Sequence, residues 1–172
     1  MNTQTLHNYS RFVIVTLLLV MLAGCVAPIQ DTRSQTNTAL SNELHKYFSE
    51  NHLDSALALA ADNIEITAYA FGMQLQGKDQ FMGFMQGFKT AFPDIAIQHT
   101  NVVANGDQVV IEFTATGTHT GPLVTPAGEI PASGKAIKLN VIEVHTWQNG
   151  KLTKLVNYQD SASLLRQIGA IQ

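Results

Sequence analysis

Apolar residues recur at helical spacing in the first half of the chain and alternate with polar ones in the second. Leu40, Leu44, Tyr47 and Phe48 fall on one helical face, and Asp54 is placed to cap a second helix through Ala61. A short strand, Ile64 to Phe71, leads into a third helix from about Lys78 to Phe92, which Pro93 stops. Phe81, Phe84, Met85 and Phe88 form its buried stripe, wide enough to cover a concave surface. From there the period becomes two. Strands are expected over about Ile95 to Ala104, Gln108 to Thr118, Ala136 to Gln148 and Lys151 to Gln159, followed by a closing helix, Ser161 to Ile168. Asn105-Gly106 and Asn149-Gly150 are the hairpin turns between strand pairs. Helices segregated from an antiparallel meander define an α+β domain.

The second hairpin sets a register. A two-residue Asn149-Gly150 loop pairs Gln148 with Lys151, so that Trp147 lies opposite Leu152, His145 opposite Lys154, Glu143 opposite Val156 and Val141 opposite Tyr158. Glu143, His145, Tyr158 and Asp160 then share a face with Leu139, Val141, Val156 and Trp147. That face is too polar for a plain core and too apolar for a plain surface, as a ligand-binding wall or an interface would be. Asp160 ends the strand on this face and directly precedes Ser161. Its carboxylate is placed either to cap the closing helix or, if buried and protonated near neutral pH, to act as a general acid or base. On the neighbouring strand Val109, Ile111, Phe113 and Ala115 alternate inward, and the same face ends in His119, a second candidate proton-transfer group. Asp160 and His119 are therefore the candidate catalytic pair, expected at one apolar pocket with the Asp160 pKa raised by burial. Tyr158, Glu143, His145, Trp147 and Phe113 are the candidate substrate-binding residues.

The beginning of the chain bears on location. Arg11 precedes an apolar run, Phe12 to Ala23, too short to span a bilayer comfortably and typical of a secretory signal. It ends in Leu22-Ala23-Gly24-Cys25, which resembles the lipobox of bacterial lipoproteins, with Cys25 the lipidated mature N-terminus. Cys25 is the only cysteine, so no internal disulfide or thiolate nucleophile is available to the domain. The expected organisation is a signal peptide over 1–24, a lipidated N-terminus and polar tether over 25–38, and one domain over 39–172. Val26 after the cysteine implies, by resemblance to sorting rules in Gram-negative bacteria, an envelope protein anchored in the outer membrane and facing the periplasm. The mature chain of about 148 residues suits one compact core. A formal charge of −3 without a basic stripe argues against nucleic-acid binding.

Several motifs, taken in order, carry a resemblance to a known family. Phe92-Pro93-Asp94, Gly106-Asp107, Gly117 to Leu123, Pro131 to Lys135, Gly150-Lys151, Asp160 and Leu164 to Gly169 resemble, as an ordered set, the SnoaL-like polyketide cyclases. The resemblance runs from about Leu40 to Gly169. It implies a cone-shaped domain of the nuclear transport factor type, in which a curved antiparallel sheet wraps a pocket closed by helices. It also implies that the carboxylate matching Asp160 drives an intramolecular aldol ring closure without metal or cofactor, with His119 in or near the pocket.

Other chemistries fall away on spacing. Gly128 to Lys135 lacks the glycine spacing and hydroxyl of a phosphate loop, no H-E-x-x-H or cysteine ligand set appears, and no G-x-S-x-G elbow presents a serine. No metal or cofactor is expected. Three readings remain: a cofactor-free cyclase or isomerase acting on a small apolar carbonyl compound, a binding protein for a hydrophobic small molecule, and a module whose sheet face forms a homodimer or docks a partner.

Overall fold

The computed structural model describes residues 31–172. The expected signal peptide, Cys25 and the first part of the expected tether lie outside the described residues. Helix α1 spans Thr32–Ser49 and begins inside the stretch expected to be a tether, because Asp31 accepts the Arg33 backbone N–H at 3.2 Å and caps it. Helix α2 (Leu53–Leu59) follows, starting a residue before Asp54, with His52 rather than Asp54 at the cap position. Strand β1 (Ala60–Ala68) starts earlier than Ile64 and gives way to a 3-10 turn at Tyr69–Phe71. Strand β2 (Met73–Gln76) leads to helix α3 (Lys78–Ala91), which ends just before Phe92-Pro93.

The remainder is sheet. Strands β3 (Ala96–Asn105) and β4 (Gln108–Thr118) form one hairpin, and β7 (Ala136–Gln148) and β8 (Lys151–Gln159) form another, with the small hairpin β5 (Leu123–Thr125) and β6 (Gly128–Ile130) between them. Helix α4 (Ser161–Ile168) closes the domain. The main sheet runs β2-β1-β8-β7-β4-β3, antiparallel throughout except that β1 pairs parallel with β8. The meander expected from the turns is therefore joined to the first strand by a pairing that no local signal announces. Asn149 and Gly150 both take left-handed φ angles, 51° and 74°, as a type I′ turn requires. The first hairpin turns one residue later than expected, on Gly106-Asp107, since Asn105 pairs with Gln108.

Packing uses one face of the sheet. Val109, Ile111, Phe113 and Ala115 of β4, and Ile137, Leu139, Val141 and Trp147 of β7, are buried, as their alternation predicts. Helix α1 lies on β3 and β4, α3 on β1, and α4 on β7. Phe81 and Met85 of α3 are core residues, while Phe84 and Phe88 pack at its margin.

The expected β7–β8 register fails after its first two pairs. Gln148 faces Lys151 and Trp147 faces Leu152, but Thr146 then pairs with Lys154, leaving Thr153 as an extra residue. Its hydroxyl donates to the Thr146 carbonyl at 3.1 Å. A bulge moves every later side chain of the strand to the opposite face. His145 faces Leu155 instead of Lys154, Glu143 faces Asn157 instead of Val156, and Val141 faces Gln159 instead of Tyr158. Leu155 and Asn157 are consequently buried, whereas Tyr158 and Asp160 are exposed.

Candidate functional site

An apolar cavity of about 70 Å³ lies between α1, α3 and the inner face of the sheet. Phe48 of α1, Phe81, Phe84, Met85 and Phe88 of α3, and Phe113 of β4 supply much of its wall. The width of the α3 stripe already implied such a concave surface. Four polar side chains line it: His45, Glu143, Asn157 and Gln159.

Three of them, His45, Glu143 and Asn157, belong to a buried network centred on Glu143. One carboxylate oxygen, Oε2, meets His45 Nε2 and His145 Nε2, each at 2.9 Å, and Oε1 accepts from Asn157 Nδ2 at 2.8 Å. His145 Nδ1 meets Ser41 Oγ at 3.0 Å, and Trp147 Nε1 donates to the same hydroxyl at 2.9 Å. His45 Nδ1 meets His99 Nε2 at 2.7 Å. The donor inventory fixes the direction of these bonds. The carboxylate only accepts, so His145 carries its proton on Nε2; with its pKa lowered by burial the ring's Nδ1 accepts from Ser41 Oγ, which in turn accepts from Trp147 Nε1. By the same logic His45 donates through Nε2, and one proton lies between its Nδ1 and His99 Nε2.

The electrostatics agree. Burial by itself raises the Glu143 pKa, but hydrogen bonds from His145 and His45 outweigh it and hold the carboxyl well below the usual carboxylate range. Burial lowers the pKa of His145 in spite of the adjacent carboxylate, and burial followed by its histidine neighbours lowers that of His99. The result is an ionised carboxylate held by three buried donors.

His45, Glu143 and His145 also offer three ligand atoms within 4.8 Å of one another, a two-histidine, one-carboxylate set of the kind that holds a transition metal. To ligate, both histidines would have to give up the protons they now donate to Glu143. Their Nδ1 atoms would then carry the protons, toward Ser41 Oγ and His99 Nε2, both within hydrogen-bond distance. The same atoms thus suit either the carboxylate network described above or a metal.

The expected site residues divide. Glu143, His145, Trp147 and Phe113 do come together on the inner face, and Phe113 packs edge-on against the His45 ring at 4.9 Å. Asp160 and Tyr158 do not join them, because the Thr153 bulge turns both outward. Asp160 Oδ1 accepts the Ser163 N–H at 2.9 Å, which makes it the cap of α4, and its side chain is exposed. Tyr158 stacks on Tyr69 with ring centroids 5.0 Å apart. His119 is fully buried, but among Phe92 and Ser133 rather than at the cavity: its ring lies 5.2 Å from that of Phe92, and Nδ1 meets Ser133 Oγ at 3.1 Å. Burial lowers its pKa. The expected shared pocket of Asp160 and His119 is thus not the cavity that forms.

Sequence reasoning missed Ser41, His45, His99, Asn157 and Gln159. A signal existed for two of them. Asn37, Ser41 and His45 recur at four-residue spacing beside Leu44 and Phe48, which puts them on the buried side of α1. Asn157 and Gln159 carried no usable signal, since without the bulge alternation sends both outward.

Residues 39–168 match the family model of the SnoaL-like polyketide cyclases. No curated protein is significantly similar to the chain. Among solved structures, a proposed SnoaL-like polyketide cyclase from Jannaschia sp. CCS1 superposes with a TM-score of 0.74 at 18% identity, covering 83% of this chain and 98% of its own. Proposed polyketide cyclases from Xanthomonas campestris pv. campestris and Pseudomonas putida KT2440 are each 22% identical, with TM-scores of 0.66 and 0.63. The first covers 79% of this chain and 98% of its own, the second 76% and 96%. These likenesses establish the α+β fold with its curved mixed sheet.

Proposed function

Because the chain belongs to the SnoaL-like polyketide cyclase family, we propose that it holds a small, largely apolar molecule by a polar head inside the cone of the sheet. The supporting observation is a pair of buried polar atoms without partners, Asn157 Oδ1 and Gln159 Nε2, on two side chains that line an otherwise aromatic cavity. Leaving such atoms unpaired costs about 1–3 kcal/mol each, and a ligand head group recovers that cost. Filling the cavity tests the reading. Small apolar compounds that raise the thermal midpoint of the wild type should lose that effect in Ala115→Trp; equal shifts in both proteins would place the ligand elsewhere.

A second reading, cofactor-free acid/base chemistry on a carbonyl compound, draws on the ionised Glu143 paired with His45 at the cavity wall. In it Glu143 orients His45, and His45 passes a proton to and from His99 across their 2.7 Å contact. Glu143 itself is too weak a base for the role, having three donors on its oxygens. His45→Gln should then abolish turnover while ligand affinity persists, and a substrate consumed at the wild-type rate by this variant would end the reading.

For location, we propose a lipid anchor at Cys25 and residence in the bacterial envelope, at the outer membrane facing the periplasm. The support is the small-residue sequence that ends at the only cysteine. Cys25→Ser should release the protein into the soluble fraction or leave it as unprocessed precursor. Unchanged processing with detergent-dependent retention would count against the anchor.

A further inference from the structure

Resting on the reading that the cavity holds a small molecule, we infer that its occupant is a cation: a small apolar amine, protonated, with its ammonium at Glu143 and its body against the phenylalanines. Among the described residues, Glu143 is the only acidic one in the lining, and no lysine or arginine lines the cavity. The Glu143 oxygens accept from the Nε2–H groups of His45 and His145 and from the amide of Asn157. The Asn157 amide and the His145 ring, whose pKa burial lowers, stabilise the carboxylate without cancelling its charge. A carboxylate has about four acceptor sites, of which three are used here.

A second acceptor stands beside it. Asn157 is fixed by its bond from Nδ2 to Glu143, so its Oδ1 sits on an amide already in contact with the carboxylate, buried and without a donor. Two neighbouring acceptors ask for a group that only donates, and an ammonium does so with up to three N–H bonds. A carboxylate or phosphate would meet like charge there. An alcohol would satisfy one acceptor and leave the charge uncompensated. The walls favour the same ligand, because the faces of aromatic rings attract cations. Phe48 already shows this: Lys89 Nζ lies 5.2 Å from its ring centroid, bonded to the Ser49 and Ile95 carbonyls. Gln159 Nε2, the remaining unpaired donor, leaves room for one oxygen acceptor on the same ligand.

The single tryptophan gives a direct readout, since Trp147 Nε1–H is linked through Ser41 and His145 to Glu143. Isobutylamine, isobutanol and isobutyrate, which differ chiefly in the charge of the head, are titrated at neutral pH while the indole N–H resonance is followed. The expected result is saturable binding of the amine at least about tenfold tighter than the alcohol, with no response to isobutyrate. Glu143→Gln should abolish the tenfold preference for the amine over the alcohol. If that variant does not fold, Asn157→Leu should weaken the amine more than the alcohol. Isobutanol or isobutyrate binding as tightly as the amine overturns the charge inference while sparing the cavity reading. Failure of all three to bind overturns both.

Discussion

Two carboxylates near the end of the β7–β8 hairpin have opposite fates. Glu143 is buried, ionised and bonded to two histidines and an asparagine, while Asp160 is exposed and spends its carboxylate on a helix N-terminus. Both fall on the same face in a simple alternating register. The difference between them originates at one residue, Thr153, which bulges out of the alternation of β8 and so leaves Tyr158 and Asp160 outside and Asn157 inside. The polarity of a site is thus set by register as much as by composition.

Shifting the register beyond the bulge is the harshest way to break this contrast. One alanine inserted after Lys154 takes the place opposite His145, which turns Val156 and Tyr158 inward and Leu155 and Asn157 outward. The expected outcome is loss of cooperative folding by circular dichroism and urea titration, whereas deleting Thr153 keeps Leu155 and Asn157 inward in a regular ladder and should be milder. An insertion mutant that unfolds with the wild-type midpoint would show that the register beyond the bulge is not fixed.

The two carboxylates can be compared directly. Glu143→Ala strands three buried donors, on His45, His145 and Asn157, and should cost about 3–5 kcal/mol of stability. Asp160→Ala removes one cap and should cost about 1 kcal/mol. Urea unfolding of both variants measures the ratio, and similar losses would mean that Asp160 does more than cap α4.

Acid sharpens the comparison further. In the unfolded chain Glu143 takes up a proton near 4.5 and His145 near 6.5, and in the folded protein both pKa values are lowered. The unfolded state therefore binds more protons over this range, so stability rises with pH. His145 costs nothing well above 6.5, and its penalty grows as pH falls below that value; His99 and His119 act with the same sign. The stabilisation from Glu143 is complete above about 4.5 and is lost on further acidification toward its folded pKa. The urea midpoint should fall between about pH 7.5 and 5, and a flat profile across that interval would contradict neutral buried histidines.

The smallest effect concerns the turn. Gly150 has φ 74°, so Gly150→Val should destabilise the domain by about 1 kcal/mol while leaving the inner network assembled. The Trp147 indole resonance would report that network as intact. Its disappearance would tie the turn to the site more closely than the geometry indicates.

By itself the sequence determined the elements and much of the core. Alternation in β4 and β7 depends only on the chain's own two-residue period, and so Phe113, Glu143, His145 and Trp147 could be set on one inner face before any contact was known. The Asn149-Gly150 turn was legible for the same local reason. The tertiary structure decided what those side chains meet. His45 reaches Glu143 from a helix 98 residues away in sequence, and His99 reaches His45 across 54. The bulge at Thr153 is stabilised only when β8 lies against β7, and the parallel pairing of β1 with β8 has no local signal at all. Periodicity records which way a side chain points, but long-range pairing chooses the partner that makes a buried charge tolerable.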